Sequence, residues 1–145
     1  MILTTCPACA APLAHDVPRC VRCKLKNYVE ALQAANNYAL SLIDLKHPEE
    51  AKPLLRQTIP IARRLFEEND DTTLRMRWYY AMALYLDAGA TLDDLREAVT
   101  TLEDAERIAR RVFGGSHPLT VDIERELQGA RTALRARETP PSGGA

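Results

Sequence analysis

The chain has little of what most enzymes and membrane proteins are built from. No run of 18 apolar residues occurs, so no transmembrane helix is expected. The opening Met1-Ile2-Leu3-Thr4-Thr5-Cys6 has neither a basic stretch nor an apolar core, so no secretory leader is expected either. The expected compartment is intracellular, cytoplasmic and reducing. There is no glycine-rich phosphate loop, no H-E-x-x-H and no G-x-S-x-G. No catalytic residue is assigned, and the chain is read as not an enzyme. The net charge is −1, which gives no strong pull toward nucleic acid or an anionic membrane. No segment reads as a β-strand.

What remains falls into three zones. Residues 1–25 hold all four cysteines and three of the nine prolines. Residues 26–137 are almost free of glycine and read as helices. Residues 138–145, Glu-Thr-Pro-Pro-Ser-Gly-Gly-Ala, read as a disordered polar tail. The middle zone carries its own punctuation. His47-Pro48-Glu49-Glu50 puts proline and acids at a helix start. Asp70 can cap a new helix, Thr91 to Asp94 resembles a capping box, and Gly114-Gly115-Ser116-His117-Pro118 ends one helix and begins another. Five helices are predicted, at 26–45, 48–68, 71–88, 91–113 and 117–137. Their expected apolar faces are Tyr38, Leu42 and Leu45; Ala51, Leu54, Leu55, Thr58, Ile61, Ala62 and Leu65; Trp78, Ala81, Met82 and Tyr85; and Ala98, Leu102, Ala105, Ile108, Ala109 and Val112.

The sequence repeats itself. Tyr38-Ala39-x-x-Leu42 returns as Tyr80-Ala81-x-x-Leu84, an offset of 42. Glu50-Ala51, Leu55, Ile61-Ala62-Arg63-Arg64, Phe66 and Thr73 return at an offset of 47, as Glu97-Ala98, Leu102, Ile108-Ala109-Arg110-Arg111, Phe113 and Thr120. An insertion between Asp87 and Asp94 accounts for the change. The unit is a pair of antiparallel helices, with small Ala39, Ala51, Ala81 and Ala98 where axes must approach closely. The last helix, around Ile123, Leu127, Ala130 and Leu134, is expected to cap the second pair.

Over residues 28–137 the chain resembles the tetratricopeptide repeat, in the longer form found in kinesin light chain. Asn36-Asn37-Tyr38-Ala39-Leu40-Ser41-Leu42 with Glu49-Glu50-Ala51-Lys52-Pro53-Leu54-Leu55 is similar to that subfamily's helix pair. Phe113 to Thr120 resembles its linker. The counterpart Phe66 to Thr73 lacks the Gly and the His-Pro. The resemblance implies an all-α, tetratricopeptide-like α-α superhelix whose first helices line a concave groove binding a peptide or partner protein. On this chain it places Gln33, Asn36, Asn37, Arg75, Trp78, Tyr79, Met82 and Tyr85 in the groove, with Arg125 at its edge. Asn37 would hold a ligand backbone, Arg75 a carboxylate, and the apolar groups adaptable contacts. The alternative is that Trp78 and Tyr79 pack between helices. Self-association is a further possibility for so short an array.

Cys6-Pro7-Ala8-Cys9 and Cys20-Val21-Arg22-Cys23 are two C-x-x-C pairs, each suited to a knuckle. Four thiolates suit one closed structural Zn2+ site. Disulfides and a metal-free remnant are the alternatives. The segment resembles short zinc ribbons, without the glycine common after each pair (Ala10 and Lys24 stand there). It also resembles the first half of a MYND finger, through Arg19 to Lys24 and Tyr28, without the remaining ligands. A second function class follows: a zinc-dependent finger docking nucleic acid or protein through Arg19, Arg22, Lys24 and Lys26, with the helices as scaffold.

Overall fold

A computed structural model describes the backbone of residues 21–139, 142 and 143, with side chains from residue 25 onward. Cys6, Cys9 and Cys20 lie outside the described residues, and Cys23 is described only as backbone. Five helices follow one another, with no strand among the described residues: α1 (Val21–Asp44), α2 (Pro48–Phe66), α3 (Asp71–Tyr85), α4 (Leu92–Phe113) and α5 (Pro118–Glu138). The five expected helices are all present. α1 begins at Val21, within the second cysteine pair, rather than at 26. None of the described helices is long and apolar enough to cross a membrane.

The chain forms two compact units, Met1–Ala34 and Ala35–Ala145, with the boundary inside α1. In the first unit Leu32 is buried, and an exposed Lys26–Glu30 pair spans one helical turn. In the second unit α2 packs on α3, α3 on α4 and α4 on α5, and α3 also touches α5.

Local chemistry sets the helix starts. Pro48 and Pro118 occupy first-turn positions of α2 and α5. There the missing N–H has no intrahelical role in any case. The Asp70 carboxylate accepts from the Thr72 N–H at 2.8 Å, and His117 Nδ1 accepts from the Leu119 N–H at 3.2 Å. Thr91 and Asp94 complete a reciprocal capping box, at 2.9 and 3.1 Å. His47 makes no such cap; its Nδ1 sits 3.3 Å from Glu49 Oε1 instead. Pro53 and Pro60 lie inside α2, and each removes one hydrogen bond from the ladder.

The repeat is visible in the core. Ala51 and Ala98, Leu55 and Leu102, Ala62 and Ala109, and Thr73 and Thr120 are all fully sealed from solvent, each pair 47 residues apart. Ala39 and Ala81 are likewise sealed at the offset of 42, and Leu42 and Leu84 are buried. The same offset of 47 carries α3 onto α5: Met76, Tyr80 and Ala83 correspond to Ile123, Leu127 and Ala130, and all six are buried. The closing helix therefore repeats the inward face of α3.

Four expected stripe positions are corrected. Tyr38 is 57% exposed and Leu45 68% exposed, while Ile43 is buried beside Leu42. Ile61 and Val112 are also exposed, and Ile59 is buried instead. Three-and-four spacing fits two neighbouring phases of a helix. In α2 the phase through Ala51, Leu55, Ile59 and Ala62 faces inward. Leu54, Thr58 and Leu65 flank it, half-buried, and Ile61 lies beyond the edge.

Candidate peptide-binding face

The expected groove residues divide by environment. Gln33 is exposed and belongs to the first unit. Asn37 is exposed, and its backbone carbonyl accepts from the Ser41 hydroxyl at 3.0 Å. Asn36 is buried, and its Oδ1 has no donor among the described residues. On α3, Arg75 donates from Nε to Asp71 Oδ2 at 2.8 Å. That bond and the neighbouring acid hold its pKa above the ordinary value. Trp78 is half-buried, with a sealed Nε1 lacking an acceptor among the described residues. Its ring lies 5.0 Å from that of Tyr79, tilted by 45°. Tyr79 is buried and Met82 half-buried.

Tyr85 is tied to α5. Its hydroxyl donates to Glu126 Oε2, and its ring rests on Gly129, where an added Cβ would come within 3.2 Å of the hydroxyl oxygen. Burial, reinforced by Glu126, pushes this hydroxyl above the usual tyrosine range. Arg125, expected at the groove edge, is exposed and bound to Asp122 at 2.6 Å.

A second polar chain links α2, α3 and α4. Arg56 donates to the Tyr80 hydroxyl from Nη2 at 2.9 Å, and that hydroxyl donates to Glu97 Oε1 at 2.7 Å. Burial and Glu97 raise the Tyr80 pKa. Nearby, Lys52 lies 3.4 Å from Asp87 and 3.7 Å from Asp94, bridging the start of α4 to α2.

Arg77 escaped the sequence reading. It stands on the inward face of α3 among Thr73, Leu74, Tyr80 and Leu84, and its side chain is only 6% exposed. A charge on a sealed helical stripe was the available signal, since such a group needs a partner.

Residues 31–71, spanning the rest of α1, all of α2 and the start of α3, match the tetratricopeptide repeat family model. The match supports a tetratricopeptide repeat protein, and the all-helical stacking of α2 to α5 is consistent with such a repeat. No curated protein and no solved structure matched the chain.

Proposed function

We propose that the chain docks protein partners by holding an extended peptide within its second unit, along residues 35–44 of α1 and along α3, with α5 at the edge. A tetratricopeptide repeat suggests a protein-interaction module. One observation carries the finer reading: two sealed polar atoms at equivalent repeat positions lack partners among the described residues. Asn36 and Trp78 correspond at the offset of 42. Asn36 Oδ1 is an acceptor without a donor, and Trp78 Nε1 a donor without an acceptor. Buried polar groups are almost always satisfied. An extended backbone presents N–H and C=O in alternation and can meet both needs once the two side chains turn outward to it. Asn37 stands next to Asn36 with its amide free to face solvent. The half-exposed Arg75 can share its guanidinium between Asp71 and a ligand carboxylate.

The test is an array of extended peptides probed with the full chain. The Asn37→Ala/Arg75→Ala double variant should lose about tenfold or more in affinity for the captured peptides. Unchanged capture by that variant contradicts the groove.

The reading includes one structural Zn2+ on Cys6, Cys9, Cys20 and Cys23. What supports it is the sequence alone: two C-x-x-C pairs ten residues apart offer four thiolates to one closed tetrahedral site. One zinc per chain after purification without chelator, lost in a Cys20→Ser/Cys23→Ser variant, is the expected result. Metal-free protein contradicts it.

A further inference from the structure

A cavity of about 320 Å3 opens between α2, α3 and α4. It is distinct from the residues of the proposed peptide groove. Its charged lining comprises Arg56 and Arg63 from α2, Arg77 from α3, and Glu97 and Asp104 from α4. Three guanidinium groups therefore face two carboxylates, and both carboxylates are already engaged. Glu97 accepts the Tyr80 hydroxyl, and Asp104 accepts from Arg107 at 2.5 Å.

Arg77 is the group left over. Its Nε and Nη1 are sealed from solvent and find no acceptor among the described residues. Its Nη2 comes only to 3.9 Å of Asp104 Oδ2, beyond hydrogen-bond reach. Burial, and Arg63 across the cavity, lower its pKa against the opposing pull of Glu68 and Asp104. Arg63 is itself drawn to Glu68 at the surface, at 3.4 Å. A sealed guanidinium without a full partner is costly, and an oxyanion of suitable size offsets that cost through charge-assisted bonds.

We propose that this cavity is an oxyanion-binding site, taking a carboxylate or phosphate group onto Arg77, with Arg63 at its mouth. Its volume falls in the range of small-ligand sites. The site does not depend on the peptide groove, and no groove residue takes part in it.

The experiment titrates the full chain separately with inorganic phosphate and with glutarate, in chloride at matched ionic strength. Calorimetry and thermal unfolding are the readouts. Saturable binding of either anion is expected, and the arm that binds identifies phosphate or carboxylate as the preferred group. Arg77→Met should weaken that binding about tenfold or more. It should also raise Tm in chloride alone, since an unpaired buried charge is gone. Asp104→Asn should bind about threefold tighter, because a competing carboxylate is removed. Arg63→Gln, at an exposed position, should bind more weakly at unchanged Tm, and it serves as the test if Arg77→Met fails to fold. The proposal is overturned if neither anion binds saturably. It is also overturned if Arg77→Met or Arg63→Gln binds like the wild type. A lower Tm for Arg77→Met with no anion response would give Arg77 a purely structural role and overturn it as well.

Discussion

Glu67 and Gly114, at the equivalent ends of α2 and α4, hold nearly the same backbone conformation: φ 70° and ψ 169° at one, φ 91° and ψ 161° at the other. This region is essentially reserved for glycine. The first linker lacks glycine in its sequence yet keeps the backbone of the second. Glu67→Gly should therefore raise stability, by about 1 kcal/mol, or about 4 °C in Tm. Gly114→Ala should lower it by about 1–3 kcal/mol. Nothing lies within 4 Å of a Cβ at Gly114, so backbone strain alone would be measured. Thermal unfolding of the two variants checks both signs.

The matched core positions make a second prediction. Leu55→Ala and Leu102→Ala should each cost about 2–5 kcal/mol, since both side chains are fully sealed. Ala98→Leu should cost about 1–3 kcal/mol by forcing α3 and α4 apart. Urea midpoints measure these losses. A tolerated Ala98→Leu would mean that α3 and α4 do not cross closely there.

These same positions show what was legible. Ala51 with Ala98, Leu55 with Leu102 and Thr73 with Thr120 could be paired from sequence because both members sit in the same kind of contact. Tyr38 and Tyr80 match in sequence and differ in place. Tyr80 is held between Arg56 of α2 and Glu97 of α4, whereas no described helix of its unit precedes Tyr38. Helix ends were readable from Pro48, Thr91, Gly114 and Pro118, which act locally. The Glu67 conformation was not, because a glutamate carries no local signal of a backbone region that glycine normally occupies. The Arg77 cavity was hidden for a different reason. It needs three helices, and no single segment encodes its walls. Of the proposed groove, the residue types were legible. The tie from Tyr85 to Glu126 was not, since it joins residues 41 apart.

The capping box at the start of α4 predicts an acid-side effect. The backbone N–H of Thr91 above all holds the Asp94 carboxyl below its ordinary pKa; desolvation opposes it, and the Thr91 hydroxyl and Lys52 add to the lowering. A lowered folded-state pKa contributes stability above the unfolded value, and that stability is lost as pH falls through the folded value. Thr91→Ala should cost about 1 kcal/mol at neutral pH. Asp94→Asn should also be less stable than wild type at neutral pH, with the gap closing below about pH 4. Urea titrations between pH 3 and pH 7 test the convergence.

Tyr85 predicts the opposite side. Its hydroxyl is favoured in the protonated form, by burial and then by Glu126. The raised pKa gives stability that is fully present below about pH 10 and lost as pH climbs beyond it. Wild type should lose stability more steeply above pH 10 than Tyr85→Phe does. At neutral pH the variant should be weaker by about 1–2 kcal/mol, because Glu126 loses its donor. Parallel slopes above pH 10 would contradict the arrangement.

The central claim is that a partner segment lies along residues 35–44 of α1 and along α3. Hydrogen exchange of the full chain, with and without a peptide captured from the array, tests it most directly. Slowed exchange concentrated in residues 35–44 and 71–85 is the predicted result. Slowing confined to residues 1–25, or to α2 and α4, would contradict it.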